Sequence, residues 1–113
     1  MKAVNLTTHE ELADDVTVAQ GVVARMKGLL GQKSMRAGAA LLIVPCKSVH
    51  TFGMRFPLDV LFLDKKGRVT ALKEHLLPNR LTPLYIRAAR VIEMPAGRIA
   101  ATRTRIGDEI QIA

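Results

Sequence analysis

Two spacings of apolar residues divide this chain. From Thr17 onward, Ala19, Val22, Val23, Met26, Leu29 and Leu30 recur at intervals of three and four, the pattern of an amphipathic helix with one apolar face. Thr17 followed three positions later by Gln20 has the form of a capping box, and Gly31 stands where the helix C-terminus would be relieved. On such a helix Gly21, Arg25 and Gly28 share a narrow stripe away from the apolar face. Arg25 is then either a surface arginine between two tolerated glycines or a cation aimed at something anionic.

The other spacing is that of strands. "AALLIV" at 39–44 is a near-continuous apolar run of the kind found in a central strand, and Pro45 predicts a bulge, an edge or a bend at its end. "VLFL" at 60–63 is apolar on both faces and joins "RVTAL" through Asp64, Lys65, Lys66 and Gly67, a loop whose glycine accepts the left-handed conformation a hairpin needs. Val4 to Thr8 reads as a first strand and Asp15 to Thr17 as the end of a second segment. Residues 74–83, with Pro78, Asn79 and Pro83, form the longest irregular stretch. "ARVIEM" reads as a strand stopped by Pro95 and Gly97, and "EIQI" follows the turn at Gly107 and Asp108, with Ile110 and Ile112 on one face. Short strands with one principal helix in the N-terminal half predict a mainly β, α+β fold, a compact antiparallel β sandwich or barrel.

At 113 residues the chain fits a single domain, 1–113. No segment approaches the roughly 18 consecutive apolar residues of a membrane span. "MKAVNLTTHEELADD" lacks the apolar centre of a secretory signal, and a lone cysteine suits a reducing compartment, so a cytoplasmic location is expected. The net charge of +7 raises nucleic acid as a partner. Residues 10–15 hold four acids, whereas residues 16–58 hold six basic residues and none. With three Phe, one Tyr and no Trp, a base-stacking platform is poorly supplied, so a solvated basic surface is the simpler account.

Candidate chemistry concentrates in "CKSVHTFGMRFPLDVLFLD" at 46–64. In a regular strand four residues cover roughly 13 Å, which separates Cys46 from His50 as a nucleophile and base. Several-cysteine zinc sites are excluded by count, and His50, Cys46, Asp59 and Glu93 show no tight ligand spacing, so no metal and no cofactor is assigned. Asp59 and Glu93 are more informative, because a carboxylate among apolar residues needs a partner or a raised pKa. They are either structural, meeting an arginine or a turn's amides, or they converge with His50, Met54 and Arg25 on a polar pocket at strand ends.

Three stretches, "ARMKGLL", "LLIVPCKSVHTFGMRFPLDVLFLDKKGRV" and "VIEMPAG" with "IGDEI", resemble the bacterial and archaeal family called domain of unknown function 192, over residues 18–113. The family's arginine before Gly-Leu matches Arg25, Gly28 and Leu29. Its methionine before Pro-Leu-Asp matches Met54, its glutamate before Ala-Gly matches Glu93 and Gly97, and its final Gly-Asp matches Gly107 and Asp108. The chain departs from it at Gly53, where many members carry Trp, and at Ala39 and Ala40, where many carry Gly. The resemblance implies a β sandwich or barrel with a short helix and brings no established activity with it. The residues themselves favour a ligand-binding or accessory protein, for an unknown small ligand or protein partner, with Arg25, His50, Met54, Asp59 and Glu93 as candidate binding residues. The alternatives are a small hydrolase using His50 with a carboxylate, and a basic nucleic-acid-binding module.

Overall fold

A computed structural model describes residues 1–20, 29 and 32–113. In chain order the elements are β1 (Ala3–Asn5), β2 (Glu10–Ala13), β3 (Asp15–Gln20), β4 (Ala39–Val44), β5 (Leu58–Leu63), β6 (Val69–Leu76), β7 (Arg90–Pro95), helix α1 (Arg98–Ala101) and β8 (Ile110–Ile112). Among the described residues they form two sheets and no closed barrel, one of three strands in the order β2-β1-β8 and one of five in the order β3-β4-β7-β5-β6.

The five-stranded sheet is covered on both faces, which is why its central strands read as unbroken apolar runs. All six residues of β5 are buried. One face packs against the small sheet and α1: Leu42, Leu61, Leu63, Ile92 and Met94 meet Ala3, Leu12, Ile99 and Ile110. Its other face, with Leu41, Ile43, Leu58, Val60, Phe62 and Val91, is covered by loops that bring in Val49, Met54, Phe56 and Tyr85. Phe62 and Tyr85 meet there with ring centroids 4.5 Å apart. The expected hairpin is present, with β5 and β6 antiparallel about the turn at 64–68, where Asp64 Oδ1 accepts the amides of Lys66 and Arg68, each at 2.9 Å.

Gly67 in that turn has φ +86°, and a Cβ there would lie 2.7 Å from the backbone oxygen of Ile110. The same pair is bonded by the Ile110 amide donating to the Gly67 carbonyl at 2.8 Å. Neither group can give way without opening the contact between the sheets. Gly67→Ala should therefore cost about 2 kcal/mol or more of unfolding free energy, read by urea denaturation.

Four expectations are corrected. Thr17 and Gln20 lie in β3, paired in parallel with Leu41 and Val44, not in a helix cap. Val16, Thr17 and Val18 are β-branched, and over so short a stretch the sheet's pairing outweighs a three-and-four spacing. The remainder of the expected helix, with Gly21, Arg25 and Gly28, lies outside the described residues. The sheet is consequently mixed, since β3 and β4 run parallel and the chain between them, residues 21–38, is long enough for the crossover that a parallel pair requires. β1 ends at Asn5, because its side-chain oxygen accepts the amides of Thr7 at 2.9 Å and Thr8 at 3.1 Å and turns the chain. β6 continues to Leu76, inside the stretch expected to be irregular.

Candidate functional site

Asp59 sits on β5 opposite Met94 and is fully buried. Its Oδ2 accepts the amides of Gly97 at 3.0 Å and Ile99 at 2.8 Å, and its Oδ1 accepts that of His75 at 2.9 Å. The Gly97 and Ile99 amides open α1, whose own N-cap residue is a glycine with no side chain to offer. His75, at φ +51°, stands where the β5–β6 register shifts. One carboxylate thus ties the start of α1 to a bulge in β6.

Glu93 lies next to Met94 on β7 and so projects to the opposite face. Its register partners are Leu41 and Val60, both in the cluster under the loops, whereas Met94 belongs to the cluster under the small sheet. Asp59 and Glu93 therefore do not converge: the pleat of a single sheet separates them. Glu93 is 5% exposed. Burial pushes its carboxyl up to about 7 from an ordinary value of 4.5. Met54 is buried on this same side, against the cluster that holds Leu41 and Val60.

His50 belongs to neither face's interior. It is exposed in the loop between β4 and β5, stacks on Phe52 with ring centroids 5.4 Å apart, and bridges Leu81 of the loop between β6 and β7. Among the described residues no ion pair joins it to a carboxylate. Cys46 turns its Sγ onto the Ser48 carbonyl at 3.0 Å, and its amide donates to Ala89 at 3.1 Å. The segment from Pro45 to Pro57 is loop rather than strand, so a strand's spacing does not set the distance between Cys46 and His50. Among the described residues no three His, Cys, Asp or Glu side chains gather where they could hold a metal ion.

A cleft of about 370 Å³ opens instead at the parallel β3–β4 edge. Its apolar surface comes from Leu29, Met35, Ala39, Ala40 and Leu41, and its polar groups from Asp15, Thr17, Gln32, Ser34 and Arg36. Arg36 Nη2 meets Asp14 Oδ1 at 2.9 Å and Asp15 Oδ2 at 3.6 Å at the rim. The hydrogen bond from Arg36 holds the Asp14 carboxyl below its usual range. Thr17, Leu41 and Glu93 are successive register partners across β3, β4 and β7, so Glu93 lies one strand behind the cleft. Sequence reasoning did not single out this cleft because its two walls, 15–17 and 29–41, meet only through the β3–β4 pairing. No local signal marks Thr17, Ser34 or Arg36.

Solved structures share the fold. A protein of unknown function from Novosphingobium aromaticivorans superposes with a TM-score of 0.83 at 16% identity, covering 98% of this chain and 82% of that one. A Sinorhizobium meliloti protein gives 0.82 at 20% identity, covering 97% and 89%. In sequence the chain is 30% identical over 111 residues to an UPF0127 protein of Pyrococcus horikoshii, covering 96% of each. It is also 31% identical over 112 residues to one of Thermococcus sibiricus, covering 95% of this chain and 71% of the other. The family model described as an uncharacterised ACR matches residues 4–112, and with nearly the whole length matched the chain belongs to the domain of unknown function 192 family.

Proposed function

We propose that this chain is a small ligand-binding or accessory domain that receives a compact molecule in the cleft between β3, β4 and residues 32–36. The observation that carries this reading is the cleft itself, whose volume falls in the range of small-molecule sites and whose lining pairs an apolar floor with a few polar groups. Thr17, Gln32 and Ser34 offer hydroxyl and amide hydrogen bonds, while the Arg36–Asp15 pair adds charge at the rim. A small molecule with an apolar body and one polar end matches that lining. Of the candidate residues, Met54 and Glu93 lie on the cleft's side of the sheet, and Asp59 on the other.

Thr17 is exposed and points to the cleft's side, so Thr17→Trp should fill the cleft without disturbing the core. A ligand-observed NMR screen of small amphiphilic molecules should give binders that this variant loses at least tenfold, with its circular dichroism unchanged. Binders that remain as tight with the cleft filled would place the site elsewhere.

A second reading, a nucleic-acid-binding module, is favoured by the net charge of +7. It requires DNA or RNA affinity that falls steeply with salt, and a flat response removes it. The hydrolase reading has less support, since His50 faces Phe52 and no carboxylate pairs with it among the described residues.

A further inference from the structure

The loop between β4 and β5 and the loop between β6 and β7 are laced into one platform. Thr51 donates its amide to Arg80 at 2.8 Å and accepts that of Asn79 at 3.0 Å, Thr82 donates to Val49 at 3.0 Å, and Tyr85 to Lys47 at 2.9 Å. Two buried hydroxyls fasten the ladder from inside. Thr51 Oγ1 donates to the Leu77 carbonyl at 2.6 Å and accepts the Arg80 amide at 2.8 Å, and Thr82 Oγ1 accepts the Val49 amide at 3.0 Å. Lys47 spans the far end, its Nζ donating to the carbonyls of Ile86 at 2.7 Å and Ala88 at 2.6 Å.

This fixed platform holds five large apolar side chains about half or more in solvent. Phe52 is 50% exposed, Leu77 49%, Leu81 67%, Leu84 66% and Ile86 79%. Phe52 stands at the tip of a turn closed by the Met54 amide on the Thr51 carbonyl at 3.1 Å, and Gly53, at φ +80°, supplies the conformation that turn needs. Arg55, Arg80 and Arg87 are exposed on the same two loops, and neither 45–58 nor 75–92 contains a carboxylate.

We propose that this platform is a peripheral docking surface for an anionic lipid bilayer. Protruding aliphatic side chains enter the headgroup and acyl boundary while the flanking arginines meet lipid phosphates, a combination that neither attraction alone would make stable. A nucleic acid would find only the Phe52 and His50 rings to stack on and would leave four aliphatic chains facing water. A folded protein partner would have to present an acidic patch to both loops at once, since these carry one sign only.

The test is sedimentation of the full chain with vesicles of pure phosphatidylcholine or of equimolar phosphatidylcholine and phosphatidylglycerol. Binding is expected to the anionic vesicles only and to be lost near about 0.5 M salt. The triple variant Leu81→Ser, Leu84→Ser, Ile86→Ser should bind at least tenfold more weakly. Arg80→Gln with Arg87→Gln should also lose roughly tenfold or more. All five positions are exposed, so unchanged circular dichroism is expected for both variants. No uptake of the native chain by anionic vesicles, unchanged binding by the serine variant, or capture of DNA or RNA without vesicle binding would each overturn the proposal. None of these outcomes bears on the cleft, whose lining includes none of the five substituted positions.

Discussion

Asp59→Ala should lower the unfolding free energy by about 3 to 5 kcal/mol, the largest single-residue loss expected outside the apolar core. The substitution removes the acceptor for three backbone amides at once, those of His75, Gly97 and Ile99. Each orphaned buried donor costs about 1 to 3 kcal/mol, and the three share one side chain, so the sum is less than additive. Asp59→Asn keeps the shape, but its NH2 group must face at least one amide donor. A loss of about 1 to 3 kcal/mol is expected for it. Urea denaturation of the two variants measures both numbers. If Asp59→Ala unfolds within 1 kcal/mol of the native chain, the carboxylate does not hold the start of α1 in place, and a binding role for it regains weight.

Glu93→Gln should stabilise the protein in alkaline solution and flatten its pH dependence. The folded carboxyl keeps its proton up to about pH 7, whereas the unfolded one releases it near 4.5. Between those values the folded state binds more protons than the unfolded, so the contribution of Glu93 to stability declines as pH rises from 4.5 and levels off above 7. The decline amounts to about 3 kcal/mol for a shift of this size. At pH 8 the Gln variant should be more stable than the native chain by about 2 to 3 kcal/mol, and at pH 4 nearly equal to it. Urea midpoints measured from pH 4 to 8 test this. A native profile without the decline, or a Gln variant weaker at pH 8, would mean that a cation holds the carboxylate charged.

The strand content was legible because it rests on local patterns. "AALLIV" and "VLFL" read as doubly buried strands and are, and the Asp64 to Gly67 turn was found from a glycine whose φ is positive in the structure. The Thr17 to Gln20 region was misread because a few apolar positions satisfy both periods, and the pairing partner that decides between them is β4, some twenty residues away. Asp59 and Glu93 were correctly singled out as carboxylates in apolar surroundings. Their supposed convergence was not legible, because it depends on register: Asp59 opposes Met94 and Glu93 opposes Val60, and that offset of one residue sends the two side chains to opposite faces. His50 was drawn into the same site by proximity along the chain, yet its loop turns it toward Phe52 and Leu81.

By itself the sequence determined the family, a mainly β architecture and two buried carboxylates, since each is written in residue types and their local spacing. The tertiary structure alone decided which faces those carboxylates occupy, where the cleft opens and how two acid-free loops come together as an apolar, basic platform. These are relations between segments tens of residues apart. No local period encodes them, and only the pairing of strands and loops brings them into contact.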